Sequence, residues 1–244
     1  MLLLAIDSTA RAASAAVSRD GHILASMQID TGNTHSEHLL PMIENCLERA
    51  GLTLPDLDAY ACTSGPGSFT GVRIGVSVIK GLAFGTDKPC IAVSALEAIA
   101  QSLLSLNGLY CAVMDARRSQ VYTALFDTDE NGCLRRLTDD DALSLAELAE
   151  LISHHLPRYN SLFLAGDGYD VATKALKEMG IFPSPTPPLL RLQNASSVCA
   201  VAERVLEKGE LMSDRSLSPL YLRLPQAERE RLQKEQQQNT VPVD

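Results

Sequence analysis

The sequence predicts an α/β fold of two lobes, each a copy of a βββαβα unit. Three observations carry that prediction. Apolar runs and helical stretches follow one another in the same order twice along the 244 residues. The first strand of each copy ends in an aspartate, Asp7 and then Asp115. The last strand of each copy runs into a loop of small residues and glycine, Ser64-Gly65-Pro66-Gly67 and then Ala165-Gly166-Asp167-Gly168. A repeat of this kind outranks local signals in assigning a fold.

Taken in order, residues 2–6 form a continuous apolar run, expected as a buried strand. Residues 14–18 and 23–29 are the second and third strands, joined by a turn whose signal is Asp20-Gly21. Residues 35–50 place Leu39, Ile43, Cys46, Leu47 and Ala50 on one helical face, and Gly51 stops the helix. Residues 57–63 are a fourth strand feeding the glycine loop, and residues 72–84 are the helix after it, ended by Gly85. A fifth strand at 90–93 precedes a helix capped by Ser94 and expected to run to about residue 106.

The second copy starts after Asn107-Gly108. Its strands are 110–114, 121–126 and 133–137, with Asn131-Gly132 as the hairpin turn. A helix at 144–155 has Ser144 as cap and Glu147 as its capping-box partner. A strand at 161–165 leads to the second glycine loop and a helix at 170–179. This organisation is that of the actin-like class, which includes Hsp70 and the sugar kinases. The expected division is residues 1–106 for the first lobe and 107–224 for the second. Within the second, 182–188 is a proline-rich linker, and a last helix at 196–208, capped by Ser196, is expected to pack back on lobe one. Residues 225–244 read as a polar tail, frayed or disordered.

Composition narrows the function classes. No apolar run approaches the 18 residues that a membrane helix needs. The N-terminus lacks a basic region and meets Asp7 early, so no signal peptide is expected. The six widely spaced cysteines contain no C-x-x-C and read as reduced thiols of a cytoplasmic protein. A net charge of −9 argues against tight nucleic-acid binding by the chain alone, although a local basic patch stays open.

The glycine loop 63–75 is a strand-to-helix turn and equally a candidate anion site, since a helix N-terminus presents free N–H groups. It is neither a Walker A loop nor a dinucleotide fingerprint. Asp7, Ser64, Gly65, Gly67, Ser68, Gly166 and Asp167 are the candidate nucleotide or anion contacts. Asp7 could orient a metal or water, or cap its own turn. Asp115 has the same two readings, with Arg117 and Arg118 expected as ion-pair partners in the hairpin. His35 and His38 have a spacing that can ligate a metal, but no third ligand follows, and a structural pair is the alternative.

Several segments together resemble the TsaB (YeaZ) family. They are Leu4-Ala5-Ile6-Asp7-Ser8-Thr9, His35-Ser36-Glu37-His38-Leu39-Leu40-Pro41, the loop from Ser64 to Gly75, Met114-Asp115-Ala116-Arg117-Arg118-Ser119-Gln120-Val121-Tyr122, and Pro219-Leu220-Tyr221-Leu222-Arg223. The resemblance implies a part in bacterial N6-threonylcarbamoyladenosine formation on tRNA. It implies a non-catalytic paralogue of the transferase TsaD that acts as its scaffold and activator. A TsaE-like ATPase joins the larger complex, a homodimer forms when the partner is absent, and tRNA is reached indirectly through the complex, with direct contact to this chain left open. TsaD-like proteins carry two metal-binding histidines in a Val-Asn-His-Leu-Glu-Gly-His segment. Here the segment reads Val93-Ser94-Ala95-Leu96-Glu97-Ala98-Ile99, so no catalytic residues, metal or cofactor are expected.

The resemblance also places the partner surface on the first helix and the glycine-loop helix. His38, Met42, Phe69, Val72, Arg73, Val76 and Ile79 are the expected contacts, and Val76→Asp is expected to break the partnership without unfolding the chain. Two rival readings stay open. One is a small actin-fold ATPase or phosphotransferase using Asp7, Gly67 and Asp167. The other is a homodimeric binding protein that acts alone.

Overall fold

The structure is a computed structural model and describes residues 1–32 and 34–223. The expected polar tail lies outside the described residues. The first sheet holds β1 (Leu2–Asp7), β2 (Ala13–Arg19), β3 (His22–Ile29), β4 (Ala59–Gly65) and β5 (Cys90–Ser94), in the order β3-β2-β1-β4-β5. The second holds β6 (Leu109–Asp115), β7 (Gln120–Thr128), β8 (Leu134–Arg136), β9 (Asp141–Ser144) and β10 (Leu162–Ala165), in the order β10-β6-β7-β8. The order β3-β2-β1-β4 therefore recurs as β8-β7-β6-β10. In each copy the first strand is antiparallel to the second and parallel to the fourth. The fold is the duplicated actin-like one.

Among the described residues there are six α-helices: α1 (His35–Ala50), α2 (Phe69–Ala83), α3 (Ala95–Gln101), α4 (Leu145–His155), α5 (Tyr169–Glu178) and α6 (Ala195–Glu207). They make three layers around the two sheets. Alternate residues of β1 serve opposite faces, as a strand requires. Leu4 and Ile6 pack with Leu39, Met42 and Ile43 of α1 and with Val72, Val76 and Ile79 of α2. Leu3 and Ala5 pack with Val198, Cys199 and Ala202 of α6. α3 covers the facing side of the second sheet, where Leu96, Ile99 and Leu103 meet Tyr110, Met114 and Phe126. α4 and α5 cover its far side through Leu148, Ile152, Ala172 and Leu176. α3 and α6 thus fill the space between the sheets.

Local chemistry explains several element ends and corrects others. Gly51 takes a left-handed conformation and closes α1, with its N–H donating to Glu48 O. The Ser144–Glu147 capping box opens α4 as expected. α2 begins at Phe69, three residues earlier than expected, because Ser68 caps it by accepting from the Gly71 N–H at 3.3 Å. α3 ends at Gln101 rather than near 106 and passes into turns. α6 is capped by Asn194, not Ser196; Asn194 Oδ1 accepts from the Ser197 N–H at 2.8 Å. The third strand of the second copy is broken in two. β8 pairs with residues 126–128 of β7 and β9 with residues 120–123 along the same edge. The acidic run Asp139-Asp140-Asp141 that separates them has poor strand propensity and hid the second piece.

An ion-pair network joins the lobes behind the sheets. Glu97 of α3 accepts from Arg136 of β8 at 3.1 Å and lies 3.6 Å from Arg204 of α6. Arg136 also donates to Asp140, whose other oxygen accepts from the Ser94 hydroxyl at 2.6 Å. Arg204 reaches Gln101 at 2.8 Å. Five cysteines are buried free thiols and Cys133 is exposed. Burial pushes the Cys111 and Cys199 thiols up to about 12, so they stay neutral and inert.

Candidate functional site: the inter-lobe cleft and the α1–α2 face

β1 and β6 both end at the cleft between the lobes. Asp7 is fully buried; its Oδ1 accepts from the Thr9 N–H and the Thr9 hydroxyl, each at 2.9 Å. Its Oδ2 is buried with no partner among the described residues. Desolvation raises its pKa, partly offset by the Thr9 bonds. Asp115 is exposed and spends Oδ1 on the Arg117 backbone N–H at 2.7 Å. The expected pairing of Asp115 with the Arg117 or Arg118 guanidinium does not form. The carboxylate is turned to the backbone, which the tight turn brings closer than either long side chain. Asp167 Oδ1 accepts from the Asp115 N–H at 3.2 Å. Burial foremost, with the charges of Asp115 and Asp7 adding, pushes Asp167 up to about 6.

The cleft has a volume of about 480 Å³. Lobe one contributes residues 9–11 and 66–70, and lobe two contributes Met114, Asp115, Ala116, Arg117, Tyr122 and Asp167. The third wall, Leu220–Arg223, is one that sequence reasoning left without a role. This strap is anchored by Leu217, which is fully buried in the lobe-one core, and by the Lys80 ammonium on the Leu217 carbonyl at 3.0 Å. The Leu220 N–H donates to Ser64 O at 2.7 Å, and Arg223 reaches Ala116 O at 3.4 Å in the other lobe.

The glycine loop is explained by the chain's own backbone. A side chain at Gly65 would overlap the Leu220 carbonyl, one at Gly67 the Thr9 carbonyl, and one at Gly71 the Ser8 carbonyl. The Ser68 N–H donates to Thr9 O at 2.6 Å. The Ser68 and Gly71 N–H groups, two donors an anion would want, are therefore already taken. Gly166 repeats the pattern in lobe two: its N–H donates to Arg191 O at 2.6 Å, and a side chain there would overlap the Val113 carbonyl. Glycine sits at these positions because other segments of the chain cross the loops at backbone distance.

The turn between β6 and β7 is strained. Arg117, Arg118 and Ser119 have φ of 61°, 55° and 58°, three successive left-handed residues without a glycine. Each costs roughly 1–2 kcal/mol for a residue with a Cβ. The β2–β3 turn uses only two left-handed residues, Asp20 at 48° and Gly21 at 78°, so a single residue with a Cβ carries that cost there.

Ala95 and Ile99, where the resemblance would place metal ligands, are 0% and 1% exposed and pack in the apolar layer between α3 and the second sheet. They offer no donor atom, so these residues do not fit the paralogue's metal. His35 Nε2 donates to Ala10 O at 2.7 Å, and among the described residues no group of three His, Cys, Asp or Glu side chains could hold a metal ion.

The expected partner surface is corrected by one helical face. Met42, Val72, Val76 and Ile79 are 0–3% exposed and belong to the core beneath α1 and α2. Amphipathic spacing alone had not told the inward stripe from the outward one. The outward face has a shallow groove of about 440 Å³ lined by Ser36, Leu40, Phe69, Thr70, Arg73, Ile74, Ser77 and Val78. Of the residues expected at a partner surface, Phe69 and Arg73 line this groove and His38 is half-buried. The Phe69 ring stacks on Tyr221 at 4.8 Å, the Arg73 guanidinium lies 3.9 Å from the Phe69 centroid, and Arg73 Nε donates to the Tyr221 hydroxyl at 2.9 Å. Among the described residues no helix is long and apolar enough to cross a membrane.

The chain is similar to known proteins over nearly its whole length. The family model for TsaD, tRNA N6-adenosine threonylcarbamoyltransferase, matches residues 29–231. The tRNA threonylcarbamoyladenosine biosynthesis protein TsaB of Escherichia coli (strain K12) is 32% identical over 226 residues, 91% of this chain and 95% of that protein. A tRNA N6-adenosine threonylcarbamoyltransferase of Novosphingobium aromaticivorans is 42% identical over 94 residues, which are 27% of its length. Among solved structures, YeaZ from Pseudomonas aeruginosa superposes with a TM-score of 0.72 at 28% identity, over 91% of this chain and 99% of that one. Near-complete coverage in both directions, found with TsaB and YeaZ and not with the transferase, shows that this chain belongs to the TsaB (YeaZ) family.

Proposed function

We propose that this chain is a non-catalytic subunit of the machinery that makes N6-threonylcarbamoyladenosine in tRNA. In this reading it binds a TsaD-like transferase and supports threonylcarbamoyl transfer as scaffold and activator. It works in the cytoplasm, joins a TsaE-like ATPase in a larger complex, and pairs with itself when the transferase is absent. The observation that carries the reading is the α1–α2 groove. Leu40 is 46% exposed, with Phe69, Ile74 and Val78 half-buried around it, on two helices that already have a complete core beneath them. Apolar residues set side by side on the outer face of two neighbouring helices suit another pair of helices. The apolar Ala95 and Ile99 support an accessory rather than a catalytic role.

Two substitutions test the reading. Leu40→Asp is expected to abolish co-purification with the TsaD-like partner, leave the melting temperature within a degree or two, and remove stimulation of tRNA modification in a reconstituted reaction. Retained complex formation would sink it. Val76→Asp, earlier expected to be a clean interface probe, buries a carboxylate in the lobe-one core and is expected to unfold the lobe. The rival reading, an actin-fold ATPase, predicts ATP turnover by the isolated chain that disappears in Asp7→Asn.

A further inference from the structure

The β6–β7 turn has a cost that the fold does not explain. Three successive non-glycine residues are held left-handed, although a two-residue turn with glycine joins β2 to β3 in the same molecule. Strain of this kind persists where the surroundings impose it and is concentrated at sites of function. Here the surroundings do impose it. The Arg117 N–H is held by Asp115, the Gln120 N–H donates to Arg117 O at 3.2 Å, and the Ala116 N–H donates to Gln120 O at 3.0 Å. The turn is rigid before any ligand arrives.

What it displays is positive charge. Arg117 and Arg118 are exposed, and neither makes an ion pair among the described residues. Arg223 comes in from the strap and lies against Ala116 of the same turn. Arg11 faces them from lobe one, where its Nε is paired with Asp30 at 2.7 Å. Two carboxylates share the cleft. Asp115 is committed to the Arg117 backbone, and Asp167 is committed to Asp115 with its pKa pushed up to about 6. In a chain of net charge −9, a mouth rimmed by guanidinium groups from both lobes is the exception.

We propose that the Arg117–Arg118 turn, with Arg223 beside it, is a contact for the phosphodiester backbone of an RNA. This rests on the proposed function, in which the assembled complex acts on tRNA. Guanidinium groups on a rigid loop bind phosphate oxygens through paired N–H donors and lose little freedom in doing so. Two or three such contacts are too few to hold RNA on an acidic protein alone. They are enough to orient an RNA already held by a partner, because phosphate contacts set register and position.

The test is tRNA binding by the complex of this chain with its transferase partner, measured by fluorescence anisotropy across a salt series. Arg117→Ala/Arg118→Ala is expected to weaken binding about tenfold at low salt and to flatten the log–log salt slope by roughly 1.5–2, while co-purification of the subunits is unchanged. Arg118→Gly is expected to raise the melting temperature, since it relieves the turn, and still to weaken RNA binding. Unchanged affinity and slope in both variants would overturn the proposal. A defect seen with ATP alone and absent with tRNA would also overturn it, by assigning the arginines to a free nucleotide. A wild-type chain that neither joins the transferase nor stimulates modification would remove the parent reading, and this one with it. A wild-type chain that does both, with tRNA binding unaffected by the substitutions, would remove this one only.

Discussion

At the scale of single residues, the two glycine loops show why a side chain is excluded. Gly71 lies inside α2 with ordinary backbone angles, yet any Cβ would strike the Ser8 carbonyl. Gly71→Ala is expected to destabilise lobe one by about 2–3 kcal/mol through overpacking against backbone that cannot move. Gly81, on the outer side of the same helix, has nothing within 4 Å of a Cβ. Gly81→Ala is expected to stabilise by up to about 1 kcal/mol, from helix propensity alone. Chemical denaturation of the two variants checks both signs. Asp167 gives a pH signature. Its folded pKa, about 6, is above the 3.8 of an ordinary aspartate. The folded state therefore binds more protons than the unfolded one between those values, and stability falls as pH rises through that window. Asp167→Asn keeps an acceptor for the Asp115 N–H and removes the charge. It is expected to stabilise by roughly 1–3 kcal/mol at pH 8 and to have little effect at pH 4. Thermal melts at the two pH values decide it.

At the scale of elements, the helices show the limit of periodicity. α1 ran over 35–50 as its spacing and Gly51 indicated. α2 was apolar nearly all round, and the sequence could not rank its faces. Contact with β1 and β4 decided the matter by taking Val72, Val76 and Ile79 inward and leaving Phe69, Ile74 and Val78 outward. The strap is an element that no local signal marked as structural, because its hydrogen bonds go to Ser64 and Ala116, far away in the chain. Leu217 plugs the lobe-one core, so truncation before it is expected to cost about 2–4 kcal/mol and to free the Tyr221–Phe69 stack.

At the scale of the molecule, the segment that would carry metal ligands has become a joint. Ala95 and Ile99 pack between the lobes while Glu97 faces Arg136 and Arg204 from separate elements. Glu97→Ala would leave two partly buried guanidinium groups without their shared carboxylate. It is expected to lower stability by about 1–3 kcal/mol and to broaden or split the thermal transition, as the lobes lose their common anchor. A single sharp transition at the wild-type temperature would show that the apolar layer alone holds the lobes together.

The sequence by itself determined the duplicated strand order, most helix positions, the Asp-ended first strands and the family. These are carried by periodicity, turn chemistry and contiguous motifs, all local in the chain. The tertiary structure decided which face of α2 is free, which groups occupy the glycine loops, that the third strand of lobe two is split, and that Asp115 holds the Arg117 backbone N–H rather than a guanidinium. Each of those depends on close approach between segments distant in sequence: Ser8 on Gly71, Leu220 on Gly65, Glu97 on Arg136. Spacing along a chain carries no record of contacts made across it.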